Sequence, residues 1–296
     1  MKQNTPMVSV CLPTYNGEKY LQQALDSLKP QTYKNLELVV SDDNSQDNSL
    51  ELVENFQKTW KFPVYIYNHQ PTSIGANWNN CLKYSNGKYI KFLFQDDILY
   101  PECIEKMVRE AEKDAKIGIV FCKREFILED QSPETMEWVN TFKDLQVNNG
   151  LFKNSNKIKG TRILRSENLL ETPMNKIGEP TAVLFPKRVI DKVGVFNEDL
   201  VQILDYEFYY RVLKKYSVLL IDEPLAGFRI HKEQATMLNK DIDFEDYKKY
   251  FSLLYKYFFW QLHYKVQWRL FKRYNPLIKK AVRFKKHLAL NLSYFN

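Results

Sequence analysis

The chain predicts an α/β fold with a mainly parallel central sheet. Three observations carry that expectation. Short apolar runs alternate with segments of helical period through the first 122 residues. The connections between them are short, and polar clusters rich in turn-forming residues fall directly after the apolar runs. This rhythm implies βαβ units and helices on both faces of the sheet.

The run at 7–12 (MVSVCL) ends at Pro13 and reads as a buried parallel strand. Over 18–28, Tyr20, Leu21, Ala24, Leu25 and Leu28 recur at helical spacing, and Pro30 stops the helix. Residues 36–41 (LELVVS) form a second strand, 42–49 a polar turn and 50–60 a second helix. A strand at 64–67, a helix at 77–84 broken by Gly87, a strand at 89–94, a helix at 101–114 and a strand at 117–122 follow. Residues 124–165 read as irregular, with Gly150, Gly160 and several Asn, and are expected to form a loop region over the site. Further strands are expected at 178–185 and 218–222, with a helix inside 201–216.

With 296 residues the chain can build one large domain or one domain with an appendage. No apolar run approaches the roughly 18 residues of a membrane span. The first six residues lack the apolar stretch of a secretory signal, so the cytoplasm is the expected location. Cys11, Cys81, Cys103 and Cys122 are scattered without a metal-cluster spacing and read as buried, reduced thiols.

The net charge of +7 is uneven. Twelve Lys or Arg against Glu245 and Asp246 give residues 244–296 a balance of +10, so the rest of the chain stands near −3. That end interleaves Tyr, Phe and Trp with its basic residues and fits two helices separated near Asn275 and Pro276. Two readings stand side by side: helices packed on the main domain with a solvated basic face, or an interfacial surface for anionic lipid at the inner face of the cell membrane. No nucleic-acid recognition motif is present.

In open α/β sheets ligands sit at the carboxyl ends of the strands, which directs attention to 13–17, 42–45 and 95–97. Gln95, Asp96 and Asp97 could hold a hard divalent cation such as Mg²⁺ or Mn²⁺; a cap for the helix near Pro101 explains them equally well. Asp42 and Asp43 could accept hydrogen bonds from a base N–H or from ribose hydroxyls. Capping by Asp47 or Ser49 competes there, and it explains one acid better than three. Asp205 stands among apolar residues at a helix start, as a general base, an N-cap or both. His231 is a lone histidine, which is more often structural than a ligand.

Together these segments resemble family 2 of the inverting glycosyltransferases. The resemblance runs through VSVCLPTYNGEKYLQQALDSLKPQTYKNLELVVSDDNSQDNS (8–49), GANWNNCLKYSNGKYIKFLFQDDILYP (75–101), IGEPTAVLFPKRVIDKVGVFNEDLVQILDYEFYYRVL (177–213) and FRIHKEQAT (228–236). It implies the Rossmann-like GT-A fold over 1–236, with a nucleotide-sugar half to about 122 and an acceptor half beyond it. Residues 237–296 then form a basic, aromatic helical extension.

The resemblance also implies roles. Pro13, Thr14 and Tyr15 would line the nucleotide pocket, Tyr15 stacking on the base. Asp43 would accept the base N–H, with Asp42 ordering its loop. Asn77 and Asn80 would contact the nucleotide, and Gln95 would sit beside the ribose. Asp96 would bind Mn²⁺ or Mg²⁺, supported by Asp97, with His231 as a second metal or diphosphate ligand. Asp205 would be the catalytic base for a saccharide or lipid-linked acceptor. UDP-sugars are the first expected donors and dTDP-sugars the second, in bacterial surface-polysaccharide synthesis.

The chain departs from the family pattern at two positions. Phe94 stands where many relatives begin the metal motif with an acid, and Leu204 stands where many carry Glu before the base. Phe94 keeps a degenerate nucleotide- or carbohydrate-binding protein as an alternative. A nucleotidyltransferase is a weaker one, because the loop after the first strand has a single glycine.

Overall fold

The structure, a computed structural model, describes residues 5–145, 150–234 and 246–278. Expectations that fall on 235–245 and 279–296, including the domain boundary at 236 and the end of the basic tail, lie outside the described residues. The first half is β1 (Val8–Thr14), α1 (Glu18–Asp26), β2 (Leu36–Asp42), α2 (Ser49–Thr59), β3 (Val64–Asn68), α3 (Ile74–Tyr84), β4 (Tyr89–Phe92), β5 (Ile98–Leu99) and α4 (Cys103–Glu112). The second half is β6 (Ile117–Leu128), α5 (Pro133–Phe142), β7 (Lys157–Lys159), α6 (Gly160–Leu164), β8 (Val183–Pro186), α7 (Arg188–Val193), α8 (Leu204–Leu213), β9 (Ser217–Ile230), α9 (Asp246–Leu253) and α10 (Tyr264–Tyr274).

Among the described residues the strands form one nine-stranded sheet, ordered β3-β2-β1-β4-β8-β6-β9-β5, with β7 on β9. β3, β2, β1 and β4 pair in parallel, as the apolar runs of the first half predict. The second half is mixed: β8 runs antiparallel to β4 and β6, while β6 and β9 pair in parallel. Parallel pairing thus dominates one half of the sheet rather than the whole.

Alternation along the strands divides the core into two layers. Val10, Leu12, Leu38 and Val40 face the layer built with α1, α2 and α4. Cys11, Val39, Ile90 and Phe92 face the layer of α3 and α8. All four cysteines are buried free thiols. No helix among the described residues is long and apolar enough to cross a membrane.

The segment expected to be irregular is largely ordered. β6 continues to Leu128 because β9 pairs with it as far as Ile230. Helix α5 then starts on Ser132, whose hydroxyl accepts the Thr135 N–H, with Pro133 in the first turn. β9 is much longer than the expected 218–222. Pro224 sits inside it opposite Lys123, where the register shifts, and a bulge is a place in a ladder that tolerates a missing N–H.

The last helices belong to the core of the main body. Tyr250, Leu254, Phe258, Leu262, Val266 and Leu270 bury themselves in the same layer as α8. Tyr250 meets Tyr206 edge to face with centroids 5.5 Å apart. A break at Leu262 and His263 interrupts the helices well before the one at Asn275. Leu254→Ala is expected to cost about 2–5 kcal/mol and to lower the stability of the whole chain in one denaturant transition. A separate early transition for the C-terminal helices would show that they are not part of this core.

Candidate active site

The sheet order β2-β1-β4 sets the three strand-end loops of the sequence analysis side by side. The loops after β1 and β2 cap each other's helices. Ser49 Oγ accepts the Gly17 N–H at 2.8 Å, and Asp47 Oδ2 accepts that of Glu18 at 3.0 Å, at the start of α1. Glu18 Oε2 in turn accepts the Asn48 N–H before α2 at 3.0 Å. Asp47 Oδ1 also takes the Ser49 N–H, so the capping reading holds for Asp47 and Ser49, across two helices. Asn16 and Asn44 turn these loops with φ of 46° and 61°, a region that Asn tolerates.

The neighbouring carboxylates Asp42 and Asp43 are both buried and differ in their partners. Asp42 is fully buried; Thr14 Oγ1 and Ser45 Oγ donate to its Oδ1, and the Ser45 N–H to its Oδ2. Both its oxygens accept hydrogen bonds inside the loop, the arrangement that the loop-ordering role requires. Asp43 Oδ1 lies 2.5 Å from His69 Nδ1, a partner from the end of β3 that the sequence reading missed. Burial raises the Asp43 carboxyl above its usual range, and His69 works against that. Asn77 is buried and donates to the Thr14 carbonyl at 3.3 Å; its Oδ1 has no hydrogen-bond partner. Asn80 donates to Ser41 Oγ.

Gln95 clamps the loop after β1. Its Oε1 accepts the Tyr15 N–H at 2.9 Å and its Nε2 donates to the Tyr15 carbonyl at 3.1 Å. The clamp holds the Tyr15 backbone while the ring stands 54% exposed, with Pro13 and Thr14 buried behind it. A Cβ on Gly17 would come within 2.5 Å of Gln95 Oε1, so glycine is needed for this approach.

Asp96 and Asp97 face opposite ways. Asp97 is 1% exposed. Thr181 Oγ1 donates to its Oδ2 at 2.5 Å and the Arg229 N–H to its Oδ1 at 3.1 Å. Burial and the Asp96 charge push its carboxyl well up. Asp97 is therefore a buried tie between segments, with both oxygens turned to Thr181 and Arg229. Asp96 is half-buried, and its Oδ2 lies 3.0 Å from His231 Nε2. Arg229 Nε donates to the Asp96 carbonyl, and its guanidinium lies 4.6 Å over Tyr20, whose ring also packs on His231. Asp96 and His231, named separately as candidate ligands, thus meet in space.

No group of three or more His, Cys, Asp or Glu that could hold a metal occurs among the described residues. The protein offers one carboxylate and one imidazole at contact distance, and the buried His231 Nδ1 has no hydrogen-bond partner. This donor pair fits a cation that takes its remaining oxygens from a bound diphosphate and water, as Mg²⁺ commonly does. Phe94 packs on Trp78 with ring centroids 4.8 Å apart, as part of the aromatic layer that includes Phe92 and Phe196.

Asp205 opens the first turn of α8, half-buried. The N-cap position falls on Ile203, and Asp205 stands two residues on, inside the first turn. Asn175 Nδ2 donates to Asp205 Oδ2 at 2.8 Å, and Asn175 Oδ1 accepts the N–H groups of Ile177 and Gly178. Burial above all raises the Asp205 carboxyl to about 7; the backbone N–H groups of Tyr206 and Asp205 and the Asn175 amide oppose the rise, and the Glu179 charge adds to it. Glu179 pairs with buried Arg124, its Oε2 lying 2.6 Å from Arg124 Nε. Its charge also raises Asp97, so the metal-motif loop and the start of α8 share one electrostatic environment. Asn175 and Glu179 were missed by the sequence reading. The Asn-x-x-Gly turn signal at 175–178 was the available clue.

A sequence model described as glycosyl transferase family 2 matches residues 9–172. An uncharacterized glycosyltransferase of Rickettsia typhi is 30% identical over 239 residues, covering 80% of this chain and 68% of that protein. An uncharacterized glycosyltransferase of Methanocaldococcus jannaschii is 27% identical, covering 88% and 80%. Among solved structures, S. aureus TarS 1–349 in complex with UDP-GlcNAc superposes with a TM-score of 0.63 at 20% identity, over 83% of this chain and 65% of that one. The mannosyltransferase PcManGT from Pyrobaculum calidifontis, in complex with GDP-Man and Mn²⁺, superposes with a TM-score of 0.59 at 16% identity, over 98% and 81%. These likenesses show the GT-A fold, and this chain spans about two thirds of the TarS fragment.

The buried tie at Asp97 can be tested through Thr181. Thr181→Val removes the donor to Oδ2 and is expected to cost about 1–3 kcal/mol in urea unfolding, with Thr181→Ser recovering most of it. An unchanged stability in the valine variant would show that this hydrogen bond does not hold the segments.

Proposed function

This chain belongs to glycosyl transferase family 2, and from that premise we propose that it moves a sugar from a nucleotide-sugar to an acceptor hydroxyl with inversion at the anomeric carbon. The observation that carries the reading is Asp205. It is a half-buried carboxylate oriented by Asn175, with its proton affinity raised to about 7 where a general base works best. UDP-sugars are the first donors and dTDP-sugars the second, because Asp43 follows β2 beside the loop after β1, where its carboxylate would accept a base N–H. The UDP-GlcNAc complex of TarS supports a UDP donor, and the GDP-Man complex of PcManGT adds GDP-mannose to the panel. The acceptor is a saccharide or a lipid-linked saccharide.

In this reading the Tyr15 ring covers the base and Gln95 keeps the Tyr15 backbone in place. Asp96 and His231 would hold Mn²⁺ or Mg²⁺, which supplies positive charge to the diphosphate. Asp205 takes the proton of the acceptor hydroxyl. The acceptor oxygen forms a bond to the anomeric carbon as the bond to the diphosphate oxygen breaks, and the nucleoside diphosphate leaves with that electron pair. Asn175 holds one carboxylate oxygen so that the other is aimed at the acceptor.

A panel of nucleotide-sugars with Mn²⁺, Mg²⁺ or chelator tests the class. Metal-dependent binding of one donor with release of its nucleotide is expected. Binding without any release, under all acceptors tried, would favour a binding protein on the same fold. Asp96→Ala is expected to weaken donor binding in the presence of metal to the level seen with chelator, and donor affinity indifferent to both would remove Asp96 from the cation site.

Asp205→Asn is expected to lower kcat by about 10²–10⁴-fold while donor affinity stays within a few-fold. In the wild type, kcat/KM should rise with pH through about 7, because a raised carboxyl is protonated and inactive as a base below that point. Asn175→Ala removes a donor that favours the charged form, so the limb should move to higher pH. A limb unchanged in position would make Asn175 merely structural.

A further inference from the structure

Ten large hydrophobic residues stand exposed among the described residues, and six of them lie between 247 and 277. Trp260 is 83% exposed, Trp268 56% and Leu277 79%. Helix α10 is apolar on two faces. Val266 and Leu270 point into the core, while Tyr264 and Trp268, one turn apart, point out. Phe259, Phe271 and Lys265 join those two outer rings around an open shallow depression.

The charge of the same stretch has one sign. From 247 to 278 the sequence holds seven Lys or Arg and no Asp or Glu. Lys265 and Arg269 reach back to Glu167 and Glu171 at 2.6 and 3.5 Å, fixing α10 on the body. Lys256 lies over Tyr257 at 4.9 Å and Lys272 over Trp268 at 5.8 Å, so basic heads stand beside the exposed rings.

We propose that the outer face of α10, with the turns before and after it, is a docking surface for an anionic lipid bilayer. Tyr and Trp settle where one end of the ring is apolar and the other wet, and basic side chains beside them gain about 1 kcal/mol each near an anionic leaflet. Charge argues against a second copy of the chain as the occupant, because two surfaces of this sign would face each other. Protruding rings also fit a bilayer better than a single-stranded nucleic acid, which binds in grooves that track its phosphates. None of these residues belongs to the candidate active site, so the surface can be tested without turnover.

The experiment is co-sedimentation of the full chain with phosphatidylcholine vesicles, with and without phosphatidylglycerol. Partition into the anionic vesicles that weakens with added salt is expected. Trp260→Ala with Trp268→Ala should reduce it roughly tenfold, and Lys256→Glu with Lys272→Glu should reduce it as well. Both pairs are at the surface, and unchanged circular dichroism and melting confirm folding. No partition of the wild type, equal partition into both vesicle types, or binding unchanged in both variants overturns the proposal. So does retention on a single-stranded oligonucleotide without retention on vesicles.

Discussion

The site depends on one buried carboxylate. An ionisable group as enclosed as Asp97 costs several kcal/mol unless its oxygens are satisfied. Here the donors come from two distant segments, the Thr181 hydroxyl and the Arg229 N–H. Thr181 is held from its other side as well, because buried Lys91 donates to its carbonyl. A buried cation and a buried acid thus meet through one threonine, and β4, β9 and the segment before β8 are fixed relative to one another. Once Asp97 turns inward, Asp96 turns out. Arg229 and His231 are two residues apart and fall on the same side of the extended chain, where both reach Asp96.

The same logic sorts the other acids. Asp42 and Asp47 spend their oxygens on the backbone and hydroxyls of the two adjoining loops, and the mutual capping of α1 and α2 locks those loops together. The acids of the proposed site, Asp43, Asp96 and Asp205, instead meet side chains from distant segments: His69, His231 and Asn175. The capping and binding readings compete only while the residues are a string. In the fold they are divided among neighbouring carboxylates.

The first half of the fold was legible because parallel strands buried on both faces are continuous apolar runs. Helices between them carry their periodicity over whole turns. The second half was obscured by local exceptions with tertiary causes. β9 contains Pro224, which reads as a strand terminator until the bulge opposite Lys123 removes the need for its N–H. α5 announced itself through Ser132 and Pro133, yet its weak apolar pattern hid it. The candidate acids stand in motifs that a sequence displays. Partners such as His69, Thr181 and Asn175 do not, since each lies at least 26 residues from the acid it serves.

The C-terminal helices connect these threads. Tyr250 packs on Tyr206 and Tyr210, one turn along the helix that begins beside Asp205. Asp246 Oδ2 accepts the N–H groups of Val201 and Gln202, in the turn that leads into that helix. The position of Asp205 is therefore set from two sides, by Asn175 on its carboxylate and by the extension on its backbone. An extension that composition alone marks as separate is, in its inner face, part of the scaffold of the proposed base. Its exposed outer rings, Trp260, Tyr264 and Trp268, stand outside that packed layer. That division is the physical reason to assign the two faces different work.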